Sequence, residues 1–171
     1  MRVIDLNADM GEYSDEAGQA NEAALMPLVS SCSIACGGHA GDEASMRATL
    51  RLAKSHGVSA GAHPSFPDRE GFGRRSLAIG AADLLKEVNA QIASAKKIAL
   101  QEGVALAHVK PHGMLYNDAA RELSLARAVA VAAEGLLLVG PPGSALETAA
   151  AERGLRFAAE GYVDRLNLAY G

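Results

Sequence analysis

The chain has 171 residues, with Lys+Arg 16 against Asp+Glu 20 and a formal net charge of −4. That is enough for one domain with a real core, and it lacks the basic excess of a nucleic-acid binder. No apolar run approaches the ~20 residues of a membrane span, and the N-terminal stretch lacks the apolar centre of a signal peptide.

The elements follow in order. A first strand is expected near residues 2–7, and a helix, with Pro27 in or near its first turn or kinking it, near residues 22–29. A second strand is expected near 31–36. It carries Cys32 and Cys36, the two cysteines of the chain. Spaced ~13 Å apart on a strand, they are too far apart for a disulfide, which fits a reducing, cytoplasmic compartment. Asp42 is placed to cap a helix ending near His56, with Met46, Leu50 and Ala53 on one face. Strands near 58–62, 104–109, 136–139 and 155–158 each follow a glycine (Gly57, Gly103, Gly135, Gly154) suited to close a helix in the left-handed conformation. Leu84, Val88, Ile92, Ala95 and Ala99 keep helical spacing from about residue 81 to 102. Asn117 or Asp118 is placed to start the next helix, with Leu125, Val129 and Ala132 inward. Ser144-Ala-Leu-Glu147 is a capping-box sequence for a short helix ending near Arg153. The alternation of strand and helix predicts an α/β fold with a parallel sheet.

The polar groups fall at the carboxyl ends of these strands, the face where sites form in parallel α/β folds. Asp5, Asn7, Asp9 and Glu12 follow the first strand. Cys36, Gly37, Gly38, His39 and Asp42 follow the second. Residues 61–75 follow the third and hold His63, Asp68, Arg69, Glu70, Arg74 and Arg75 between two prolines and three glycines. His108, Lys110, His112, Tyr116 and Asn117 follow the fourth, and Glu160, Asp164 and Arg165 the sixth. This clustering favours an enzyme over a binding module.

Each candidate has a plainer reading beside the functional one. Asp5 is either a metal or proton-transfer residue or a hydrogen-bonded strand residue. Asp9 and Glu12 either join it or solvate a loop. His63, between Ala62 and Pro64, reads as a ligand or base. Lys110 beside His112 would keep the imidazole neutral. Arg69, Arg74 and Arg75 suit a carboxylate or phosphate, at least one of them serving instead in a surface ion pair. Cys36 reads as a small buried hydrophobe. No phosphate-loop or dinucleotide fingerprint is present. Gly140-Pro-Pro-Gly-Ser144 is a weak anion-site candidate.

Four segments together carry a resemblance: Asp5-Leu-Asn-Ala-Asp-Met-Gly-Glu12, Ile34-Ala-Cys-Gly-Gly-His-Ala-Gly-Asp42, Gly61-Ala-His-Pro-Ser-Phe-Pro-Asp-Arg69 and Val109-Lys-Pro-His-Gly-Met-Leu-Tyr-Asn117. In this order they resemble the LamB/YcsF family, that of the 5-oxoprolinase A subunits, along the whole chain and more loosely around Tyr162-Val-Asp-Arg165. The resemblance implies a parallel (β/α) TIM-like barrel of the glycoside hydrolase/deacetylase type. It also implies ATP-dependent opening of 5-oxo-L-proline to L-glutamate, with partner subunits B and C. Mg²⁺ is expected on the ATP phosphates.

The chemistry of that reaction assigns candidate roles. Asp9, His63, Lys110 and His112 are candidates for catalysis. Asn7, Glu12, Arg69, Arg74 and Asn117 are candidates for substrate or phosphate, and Asp5 and His39 for a metal. A TIM barrel takes ~250 residues and eight βα units. The expectation is therefore one barrel-like domain over residues 1–171, incomplete at about six strands and missing its C-terminal part. Two alternatives stand beside this reading: a metal-dependent deacetylase or amidohydrolase without ATP, acting through Asp9, His39 and His63, and an inactive fragment that only binds.

Overall fold

The computed structural model describes residues 4–162. Short runs, all but the first preceded by a helix and its turn, form the strands. β1 (Asn7–Met10), β2 (Ser31–Ala35), β3 (Ser59–His63), β4 (His108–Val109), β5 (Leu137–Gly140) and β6 (Phe157–Ala159) make one sheet in sequential order. Every neighbouring pair is parallel. The helices between them are α1 (Glu16–Leu25), α2 (Glu43–His56), α3 (Ala81–Gln101), α4 (Gly113–Arg121), α5 (Leu123–Ala132) and α6 (Ala145–Glu152). The sheet curls into a half-barrel, so the expected incomplete parallel (β/α) barrel is what forms. No helix among the described residues is long and apolar enough to cross a membrane.

The core lies between sheet and helices. Leu84, Val88, Ile92, Ala95 and Ala99 of α3, the spacing read from the sequence, are all buried there. α5 buries alanines at 126, 128, 130 and 132 and packs against α3 and α6, a fit that small side chains permit. Asp42 and Ser45 cap α2 reciprocally, each backbone N–H donating to the other's side-chain oxygen at 2.8 Å.

Several boundaries move, for physical reasons. The strand expected at 2–7 begins at Asn7; of its residues, 2 and 3 lie outside the described set. Asp5 stays out of the ladder because its carboxylate accepts from the Ser30 and Ser31 hydroxyls (2.5 and 2.6 Å), and the ladder starts at Asn7 opposite Ser31. The helix expected at 22–29 starts at Glu16, because Asp15 caps it by accepting from Gly18 N. Pro27 instead sits in a 3-10 turn, Met26–Leu28, after it. Asn117 and Asp118 do not start a helix: they lie inside α4, whose N-cap is His112, and extended backbone at Glu122 separates α4 from α5. Ser144 caps α6 by accepting from Glu147 N. The box does not close, since Glu147 Oε2 accepts instead from Gly143 N at 2.7 Å. That contact also fills the Gly140–Ser144 loop with the chain's own carboxylate, so the suggested anion site is occupied from within.

Candidate active site

Side chains two residues apart on a strand share a face of the sheet. Asn7 and Asp9 on β1, Gly61 and His63 on β3, and His108 and Lys110 at β4 form such pairs, and so build two layers inside the half-barrel. In the lower layer the Asn7 amide donates to Ser31 Oγ (2.7 Å) and accepts from Ser33 Oγ (2.9 Å), and Ser33 Oγ meets His108 Nε2 at 3.0 Å. Gly61 is required here, because a Cβ at that position would overlap the His108 ring.

The upper layer holds the reactive groups. The Lys110 ammonium sits 2.8 Å from Asp9 Oδ1 and 3.1 Å from Glu160 Oε1. The other oxygen of Asp9 lies 3.3 Å from His63 Nε2. Above these, Glu12, His39, His63 and His112 converge, one donor atom from each lying within 4.8 Å of the others. Glu12 Oε1 is 3.0 Å from His39 Nε2 and 3.5 Å from His112 Nδ1, and His112 Nδ1 is 3.1 Å from His63 Nε2.

The outward nitrogens fix the tautomers. His63 Nδ1 contacts the Lys110 carbonyl at 2.6 Å, and His112 Nε2 contacts the Phe72 carbonyl at 2.9 Å. A carbonyl only accepts, so both of those nitrogens carry hydrogen. With both rings neutral, His63 Nε2 and His112 Nδ1 face each other as lone pairs, whereas a proton on His63 Nε2 is placed to donate to Asp9 Oδ2 at 3.3 Å or to His112 Nδ1 at 3.1 Å.

Backbone shape places these rings. Gly11 N and Glu12 N both donate to the Glu22 carboxylate (2.9 and 3.0 Å), which holds the turn that presents Glu12. His112 N donates to the Pro64 carbonyl at 2.8 Å, tying β3 to the start of α4. Phe72, at φ +53°, stands edge-on to the stacked His39 and His112 rings, whose centroids are 3.7 Å apart. Gly113 has φ +57°, and a Cβ there would strike the Gly73 carbonyl oxygen. That close approach lets the Phe72 loop rest on the α4 terminus, where Met114 N donates to Gly73 O at 2.9 Å.

Electrostatics follow from this burial. Burial disfavours the Asp9 charge, but His63 and Lys110 outweigh it and hold the carboxyl well below its ordinary range. Burial likewise works against the Lys110 ammonium, and Asp9 and Glu160 more than restore it, raising its pKa. Burial depresses His39. Burial, followed by the neighbouring His63 and His39, brings His112 down to about 4. Lys110, expected to act on His112, acts instead on His108, which burial and that ammonium lower to about 4. Cys36 is buried and its thiol is pushed up to about 12, in keeping with a packing role.

The sequence candidates thus divide. Asp9, Glu12, His39, His63, Lys110 and His112 come together. Asn7 lies one layer below them. Asp5 is tied to Ser30 and Ser31 rather than joining His39. Arg69 donates to the Gly37 and Gly41 carbonyls (2.9 and 2.8 Å), bracing the loop that carries His39. Arg74 is exposed, its guanidinium 5.4 Å from the Phe72 ring centre. Arg75 is the ion-pair arginine, held by Asp68 and by Glu70. Asn117 faces Met114 Sδ at 3.7 Å. Glu160, passed over as a site residue, is marked by its place just after β6. Glu22 carries no local signal, because its partners are backbone N–H groups ten and eleven residues earlier in the chain. Asp164 and Arg165 lie outside the described residues.

Fold and site together define a parallel (β/α)-barrel protein whose ionisable groups gather at the carboxyl ends of the strands. Residues 4–171 match the LamB/YcsF family, and the chain belongs to it. It is 47% identical over 169 residues to the 5-oxoprolinase A subunit of Symbiobacterium thermophilum, covering 96% of this chain and 65% of that protein. It is 49% identical to the 5-oxoprolinase A subunit of Chloroflexus aggregans, covering 96% and 67%. The crystal structure of the lactam utilization protein from Thermus thermophilus superposes with a TM-score of 0.88 at 43% identity, covering 92% of this chain and 66% of that one. The chain spans about two thirds of the length of these relatives.

Proposed function

We propose that this chain supplies the strand-end site of an ATP-dependent 5-oxoprolinase, a hydrolase that opens the cyclic amide of 5-oxo-L-proline to L-glutamate. The observation that carries the proposal is the pair of facing imidazole nitrogens, His63 Nε2 and His112 Nδ1, set 3.1 Å apart beside a lysine held between two carboxylates. The names of the relatives, 5-oxoprolinase and lactam utilization protein, support the same substrate class. The partners are then subunits B and C, and the compartment is the cytoplasm, which suits two buried free thiols.

A lactam resists direct attack by water. Transfer of the terminal phosphoryl group of ATP to the lactam oxygen releases ADP and makes the ring carbon electrophilic. Water then adds as its proton passes to the His63–His112 pair. The C–N bond breaks and the nitrogen takes up a proton. A second water attacks the acyl carbon and releases phosphate, so each 5-oxoproline and ATP consume two waters. Lys110 stays an ammonium throughout, a fixed positive charge for the developing oxyanion. Arg74, exposed at the rim beside Phe72, suits the substrate carboxylate, whereas Arg69 is committed to the loop. Glu12 serves the imidazole cluster rather than a phosphate, which it would repel. Mg²⁺ prefers oxygen donors. Three imidazoles do not suit it, and Asp9 and Glu160 are engaged by Lys110, so Mg²⁺ would arrive with the nucleotide and takes no step of its own.

The test supplies the chain with subunits B and C, ATP and 5-oxoproline labelled with ¹⁸O at the ring carbonyl. Expected are glutamate and ADP in equal amounts, with label in the released phosphate. Glutamate formed equally fast without ATP would contradict the proposal.

A further inference from the structure

We infer that Glu12, His39, His63 and His112 together hold one divalent transition-metal ion of the zinc class. The geometry makes the case. In a tetrahedral zinc site with ligands at 2.0–2.1 Å, neighbouring donor atoms lie about 3.3 Å apart. Here the separations are 3.0 Å (Glu12–His39), 3.1 Å (His63–His112), 3.5 Å (Glu12–His112) and 4.0 Å (Glu12–His63). Three imidazoles and one carboxylate suit a borderline cation rather than Mg²⁺ or Ca²⁺.

The surroundings fit the same ion. Metal-ligating histidines almost always donate their other ring N–H to a carbonyl or carboxylate. His63 does so to the Lys110 carbonyl and His112 to the Phe72 carbonyl, which aims the remaining lone pair of each of these two rings at the common centre. His39, stacked on His112 with its Nδ1 unpartnered, has to turn out of that stack to bring its Nε2 lone pair to the same ion. Two lone pairs facing at 3.1 Å repel unless something positive lies between them. A single proton would bridge two of the four donors, whereas a cation engages them all. Glu22 fixes the Glu12 turn through two backbone N–H groups, and Arg69 fixes the His39 loop. All three rings are buried, and the Glu12 side chain is 10% exposed. Asp9, with Oδ2 at 3.3 Å from His63 Nε2, supplies a second negative charge beside the cation.

This deepens the proposed function, on whose reading of the cluster as the water-activating group it rests. A bound cation takes the same lone pairs and lowers the pKa of nearby water instead of accepting its proton. Metal binding is measured without substrate, so either reading can fail alone. The chain is stripped with chelator, and Zn²⁺ and then Co²⁺ are titrated, with folding followed by circular dichroism. About one equivalent per chain is expected, with the intense visible bands of four-coordinate Co²⁺. Affinity should fall at least about tenfold in His112→Ala and in Glu12→Gln, and should be unchanged in His56→Ala, at an exposed position away from the cluster. A folded wild-type chain that binds no stoichiometric metal, or metal lost on changing His56 but kept without His112, overturns the inference. Co²⁺ bands on the unmodified chain decide the matter even if a variant fails to fold.

Discussion

Lys110 is the residue on which the charges of the site balance. Its side chain is 5% exposed and bridges Asp9 and Glu160. Replacing it with methionine keeps the volume and leaves two carboxylates without their cation. Losing one member of a fully buried pair costs ~3–5 kcal/mol. Asp9 is 36% exposed, so screening reduces this and a loss of about 2 kcal/mol in urea unfolding at pH 7 is expected. His108 and His112 set the acid limit together, both held near pKa 4, and His108 is the one outside the reactive cluster. Its folded pKa lies near 4 against an unfolded value of 6.5, so the unfolded chain binds the extra proton between those values. Stability is then full above pH 6.5 and falls as the pH drops toward 4. His108→Gln should make that part of the profile shallower, leaving the share of His112, measured as the urea midpoint against pH. An unchanged slope would mean that His108 is not one of the groups responsible.

These residues were legible in the sequence to different degrees. Asp9, His63, Lys110 and His112 stood out because strand-end polar groups converge in any parallel α/β sheet. The Asp9–Lys110–Glu160 bridge was hidden, because it joins the first, fourth and sixth strands and sequence spacing carries no such distance. The role of Arg69 was also hidden, since its partners are carbonyl oxygens, which every residue has. The separation of Asp5 from His39 depends on two serine hydroxyls that no motif marks.

At the scale of elements, the loop after β3 and the start of α4 act as one piece. Gly113→Ala places a side chain at positive φ against the Gly73 carbonyl. A loss of about 2–3 kcal/mol in thermal or urea unfolding is expected. Because this contact seats Phe72 over His39 and His112, activity should fall further than stability explains. Asp15→Ala removes the α1 cap alone and should cost about 1 kcal/mol. The periodic helices α2 and α3 were readable end to end, whereas the starts of α1 and α4 were not. A capping aspartate far upstream of the apolar pattern and an imidazole at the N-cap both fall outside the pattern that announces a helix.

For the whole molecule, sequential parallel strands bring six separate strand ends to one face, and the proposed opening of a lactam at the expense of ATP belongs to that face. The alternation of glycine-closed helices with short apolar strands made that architecture visible early. The closing of the sheet toward a barrel was implied by the family resemblance and not by periodicity, because strand register is set by long-range pairing. The most direct measurement is glutamate release from 5-oxoproline by the chain with subunits B and C, with and without ATP, alongside His63→Gln and Lys110→Met. Release is expected to require ATP and to fall at least about 100-fold in each variant. Release that continues without ATP, or at an unchanged rate in both variants, would contradict the proposed function.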